Sequence, residues 1–118
     1  MKLCREVFLK KERLKKGDEF KRIFKYGRKY RSKNFNLIVL PNKEGNARLG
    51  IVVSKKTAIA VRRNKIKRII REIFRRNKLL FYPWEDYLFI IKNGAIELKY
   101  NEIFEELSYL LKISLKRN

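Results

Sequence analysis

Apolar residues recur along this chain with two periods, and the switch between them lays out its elements. Over residues 61–77, Ile66, Ile69, Ile70, Ile73 and Phe74 fall at helical spacing, so one side of a helix can dock on a core. Residues 19–26 make two further turns in which Phe20 and Phe24 share a face as an i,i+4 pair. Asp18 is a good N-cap for that helix and Gly27 a natural C′ residue. A third helix begins near Tyr100, with Ile103, Phe104, Leu107, Leu110 and Leu111 on one face and Glu102, Glu105 and Glu106 on the solvent side. Residues 35–40 read as a strand closed by Pro41, and residues 49–54 as the returning strand of a hairpin across a polar loop. Residues 86–91 form a buried strand before the Asn93-Gly94 turn. The order predicts an α+β sandwich with helices on a mixed sheet.

Charge changes this picture from a fold to a partner. The net charge is +20, and its distribution says more than its size. Residues 1–78 hold 27 Lys or Arg and 6 acids, whereas residues 79–118 hold 5 and 6, so one part binds and the other supports. Residues 55–78 carry eleven cations against one acid, Glu72, and the second helix places Asn64, Lys67, Arg68, Arg71 and Arg75 roughly opposite its apolar stripe. Like charges at i,i+4 destabilise an isolated helix, so an outside anion must neutralise them, and nucleic acid fits best. Residues 1–17 read as a basic arm, extended or ordered only on a partner, on a chain whose residues 1–118 make a single nucleic-acid-binding domain. A membrane surface suits the helix less well, because its stripe is mostly β-branched and it has no Trp anchor.

Protein-based catalysis finds little support. The chain has no His, which excludes imidazole acid–base chemistry, and its lone Cys4 with no His cannot build a zinc site. The acids lie at Asp18/Glu19, Glu85/Asp86 and the Glu102/Glu105/Glu106 group, the last on an ordinary solvent face. No catalytic, metal or cofactor residues are assigned. The cysteine usage suits a reducing compartment, residues 1–10 have no secretory core, and no apolar run reaches the span of a membrane, so the expected location is cytoplasmic.

From Val53 onward the chain resembles the bacterial ribonuclease P protein family. The resemblance rests on Ser54-Lys55-Lys56 followed by Ala60-Val61-Arg62-Arg63-Asn64-Lys65-Ile66-Lys67-Arg68-Ile69-Ile70-Arg71. Arg13-Leu14 with Phe20, Phe24 and Gly27, and Arg48-Leu49-Gly50-Ile51-Val52-Val53, extend it over about residues 13–92. Lys65 and Lys92 stand where the family has arginine, Ala58 and Ile59 replace a usual Gly and polar residue, and Asn93 replaces a cation found in some members.

The resemblance implies a two-layer α+β sandwich, a mixed four-stranded sheet with about three helices and a left-handed crossover into the last strand. It implies a subunit of an RNA-based endonuclease that removes the 5′ leader from precursor tRNA, with catalysis on the RNA. Its partners would be the catalytic RNA and precursor tRNA, with no membrane. No cofactor would be held by the protein alone, and magnesium would sit on the RNA. Carried over, Arg62, Arg63, Asn64, Lys65, Lys67, Arg68 and Arg71 would meet the catalytic RNA. Phe20, Phe24, Phe35, Ser54, Lys55, Lys56 and Lys92 would line or border a cleft for the single-stranded leader, where aromatic faces stack on bases and cations hold the backbone. By pattern alone Phe20 and Phe24 read as core rather than as a binding surface, and it is the resemblance that reverses this. The rivals are a basic ribosomal protein, which needs no leader cleft, and a helix-based DNA binder, which would place Asn64 and Arg68 in a major groove.

Overall fold

The structure, a computed structural model, describes residues 10–54, 56 and 59–115. They form helix α1 (Asp18–Tyr26), strands β1 (Arg28–Arg31), β2 (Phe35–Pro41) and β3 (Arg48–Val53), helix α2 (Ala60–Arg76), strand β4 (Glu85–Ile91) and helix α3 (Tyr100–Leu115). The sheet runs β1-β2-β4-β3. β1 with β2 and β2 with β4 are antiparallel, whereas β3 with β4 is parallel.

This order corrects the hairpin expected between residues 35–40 and 49–54. β4 lies between those strands, so its backbone groups pair along both edges while helices on the two faces bury Tyr87, Leu88 and Phe89. The true hairpin joins β2 to β1, a strand of sequence Arg-Lys-Tyr-Arg that leaves no mark in a hydrophobic pattern.

Successive side chains of a strand point to opposite faces, and the core divides accordingly. Phe35, Leu37, Val39, Tyr87 and Phe89 pack with Ile66, Ile70, Ile73 and Phe74 of α2 and with Ile103, Leu107 and Leu110 of α3. Ile38, Leu40 and Leu88 face the other way, onto Ile23 of α1 and Leu14. The α+β class, the mixed four-stranded sheet and the three helices stand as expected, but the two-layer arrangement does not. Both parities of strand residue are apolar, so helices cover both faces of the sheet.

Helix α1 has nine residues and covers only part of its face. The row Ile38–Leu88–Gly50 is buried on that side, while the next row, Arg31–Asn36–Ile90–Val52, stays exposed or half-buried. Gly17, at φ 92°, starts α1 in place of the expected Asp18, which is already helical and makes no capping hydrogen bond. Gly27 is required for space rather than for a left-handed turn: a Cβ there would stand 2.4 Å from Ile38 Cγ2. The basic arm is folded at its inner end. Leu14 is buried and its N–H donates to the Leu49 carbonyl at 2.9 Å, while buried Glu12 pairs with Lys78 at 2.9 Å. Residues 1–9 lie outside the described residues.

Candidate nucleic-acid interface

Helix α2 is held by its apolar stripe, which fixes what its other side presents. Ile66, Ile70, Ile73 and Phe74 are buried, whereas Arg62, Asn64, Lys65, Arg68 and Arg71 are exposed and Arg63 and Lys67 half-buried. Its first turn holds no acid, so the partial positive charge of the helix N-terminus adds to Arg62 and Arg63 rather than opposing them. At the far end Glu72 is bracketed by Arg75 and Arg76 at 2.6 and 3.3 Å, so Arg75 serves the helix itself. The hydrogen bond from Arg75 and the nearby cations hold the Glu72 carboxyl below its usual range.

The groove beside α2 is where the tertiary structure adds most. Helices α1 and α2 lie on opposite faces of the sheet, but β3 is an edge strand, and both reach around it. A cavity of about 140 Å³ there is lined by Arg13, Lys16, Phe20, Lys67 and Arg71 among others, with no carboxylate among its lining residues. A second hollow of about 260 Å³ continues it along Val52 and Val53. Packing that strips water, together with Lys16, Arg71 and Arg63, lowers the Lys67 pKa, and the same loss of solvent with Arg13 lowers that of Arg71. Cations gathered against their own repulsion have the chemistry to attract an anion such as phosphate. Gly50 makes room here, since a Cβ on it would meet Leu88, Phe20 and Leu14 at 2.9–3.1 Å.

The residues expected to border a leader cleft do not all gather there. Phe20 is half-buried over Gly50, so it both packs and lines the groove; Phe24, one turn on, is 42% exposed. Ser54 and Lys56 are exposed at the end of β3, where Ser54 Oγ accepts the Lys56 N–H, and Lys55 lies outside the described residues. Lys92 follows β4 and its ammonium donates to the Ser32 carbonyl at 2.8 Å. Phe35 is the exception. It is fully buried on the opposite face, among the α2 and α3 residues, because its parity in β2 is that of Leu37 and Val39. Lys67 and Arg71, expected to face the catalytic RNA, join Phe20 in the groove instead of standing apart from it. Two groups escaped sequence reasoning. Asn36 places an Oδ1 without a hydrogen-bond partner among the described residues in the half-open row beside α1. Glu106, expected on a solvent face, is half-buried: it takes the N–H of Asn34 at 2.6 Å, the amide of Asn34 at 2.9 Å and the hydroxyl of Ser32. Burial opposes its charge, but those hydrogen bonds and Lys92 outweigh it and hold its pKa below the usual value.

A family model described as Ribonuclease P matches residues 8–114. The chain belongs to the ribonuclease P protein family. Its relatives include the ribonuclease P protein component of Syntrophus aciditrophicus, 39% identical over 86% of each chain. That of Shouchella clausii is 40% identical over 87% of this chain and 85% of the other. Among solved structures, the Staphylococcus aureus RNase P protein matches with a TM-score of 0.81 at 39% identity, covering 91% of this chain and 98% of that one. The Thermotoga maritima protein matches with a TM-score of 0.80 at 37% identity, covering 86% and 96%. The chain therefore has the role of a ribonuclease P protein subunit, an RNA-partnered component of a tRNA-processing ribonucleoprotein. Among the described residues of this family member, no three His, Cys, Asp or Glu side chains come together as a metal site, and no helix is long and apolar enough to cross a membrane.

Proposed function

We propose that this subunit divides its RNA contacts between two surfaces and leaves bond cleavage, with its magnesium ions, to the RNA. The outward side of α2, with Arg62, Arg63, Asn64, Lys65 and Arg68, binds the catalytic RNA. The groove between α1, β3 and α2 takes the single-stranded 5′ leader of precursor tRNA, with Phe20 and Phe24 offering ring faces and Lys67 and Arg71 meeting phosphates. Lys56 and Lys92 extend the positive border toward the open row of the sheet. The observation that carries this reading is the convergence of Phe20, Lys67 and Arg71 on one acid-free groove. Aromatic faces combined with backbone-tracking cations are what single strands require. A chain without histidine has little with which to cut RNA by itself.

The test is reconstitution: purified chain, a bacterial catalytic RNA and a precursor tRNA at low magnesium. Correct 5′ cleavage by the mixture, and none by the chain alone, is the expected result. Robust cleavage by RNA-free protein would overturn the division of labour.

A further inference from the structure

Helix α2 has a second flank, turned away from Phe20, and a larger cavity opens there. It measures about 610 Å³ and lies between the first half of α2, residues 96–99 and the start of α3. That is within the range of roughly 300–1,000 Å³ typical of sites that enclose a small molecule. Its walls include half-buried Ile69, Leu98 and Tyr100, and its rim carries exposed Arg62, Lys65 and Lys99. One carboxylate stands among those cations: Glu97, held by the Arg62 guanidinium at 2.7 Å.

Each part of this arrangement answers a part of a nucleotide. Apolar side chains and an aromatic ring accept the face of a base, and three cations suit the phosphates on either side of it. A carboxylate is an acceptor only, and guanine is the base that presents two adjacent donors on one edge, N1–H and N2–H2, to its two oxygens. Arg62 and Lys65 also belong to the surface proposed above for the catalytic RNA, so the strand that supplies such a base lies alongside.

We propose that this groove receives one unstacked guanine nucleotide of the ribonuclease P RNA subunit. The base lies against Tyr100, Ile69 and Leu98 with its donor edge on Glu97, and its flanking phosphates lie on Arg62, Lys65 and Lys99. The inference rests on the reading of α2 as the face for the catalytic RNA.

The experiment uses the full chain and the RNA subunit, with affinity measured across a salt series. Tyr100→Ala removes the ring and Glu97→Gln, at an exposed position, removes the charge without risk to the fold. Tyr100→Ala should weaken binding by about ten- to a hundredfold, as loss of a stacked base does, and leave the salt slope unchanged because no phosphate contact is lost. Base-specific probing should show a guanine that the wild-type chain protects and the Tyr100→Ala chain does not. Replacing that guanine by adenine, which keeps the purine face and lacks the paired donors, should weaken wild-type binding and affect Glu97→Gln much less. Arg68→Ala serves as the control for the underlying reading. If Arg68→Ala weakens binding while Tyr100→Ala and Glu97→Gln bind as wild type and no such base is protected, the groove is not a nucleotide site. If Arg68→Ala also binds normally, the face itself has been misassigned and this inference falls with it.

Discussion

The guanidinium of Arg48 lies across the carboxylate of Asp86 in a two-point contact, Nε to Oδ1 and Nη2 to Oδ2 at 2.9 Å each. Asp86 is 1% exposed, and its Oδ1 also accepts the Asn42 amide at 2.7 Å. The third guanidinium nitrogen reaches Glu19 on α1 at 3.0 Å, so one side chain ties two strands to the helix that walls the groove. Hydrogen bonding to Asp86 raises the Arg48 pKa against the effect of burial. Asp86→Ala would leave that cation without its buried partner, a loss of about 3–5 kcal/mol for such pairs. Denaturant unfolding of the variant checks the magnitude.

Glu106 gives the fold an acid-sensitive clasp. Its folded pKa lies below the unfolded value, so its contribution is complete above the unfolded pKa and fades as pH falls through the folded one. Glu106→Gln should be less stable than wild type at neutral pH, and the two should converge in acid. Melting temperatures across a pH series test this, and a gap that widens in acid would be the wrong sign.

Phe20 and Phe35 look alike in sequence and should behave oppositely. Phe20→Leu keeps most of the volume but loses the ring face, so the holoenzyme should lose about 1–3 kcal/mol in binding precursor tRNA and nothing for mature tRNA. Phe35→Ala should instead cost about 3–5 kcal/mol of folding stability, as truncation of a buried Phe does. Titrating both tRNAs, alongside thermal melts, separates the two. Equal loss for both tRNAs with Phe20→Leu would assign that ring to the core.

Lys67 shows a conflict between stability and binding. Its lowered pKa means that the fold disfavours its charge. Lys67→Met should raise the melting temperature of the free chain at low salt while weakening RNA binding. Inorganic phosphate should stabilise the wild-type chain, by about 2.7 kcal/mol at a hundred times its Kd, and the variant less. A phosphate-independent wild-type melt would argue against the cation cluster as an anion receptor.

Arg68, exposed on α2, and Lys112, exposed on α3, compare the basic and neutral parts of the chain. Arg68→Ala should weaken binding of the catalytic RNA and flatten its salt dependence by roughly one unit of slope or less, and Lys112→Ala should do neither. Equal effects would remove the case for a binding face.

The elements whose own side chains alternate or recur were legible in the chain itself. Helices α2 and α3 and strands β2 and β4 follow from local periodicity, and the excess of cations around α2 points to a nucleic-acid partner before any fold is known. The pairing of those elements was not legible, because a strand's apolar run fixes that it is buried and not beside what. The insertion of β4 between β2 and β3 made β3 an edge, and only then could α1 and α2 meet around it. The same long-range choice decided the candidate site. It brought Lys67 and Arg71 to Phe20, turned Phe35 by one residue of parity into the opposite core, and drew Glu106 onto the β1–β2 turn. Residue type and spacing determined the kind of partner; the packing of distant segments, which no local pattern records, decided which side chains share a surface.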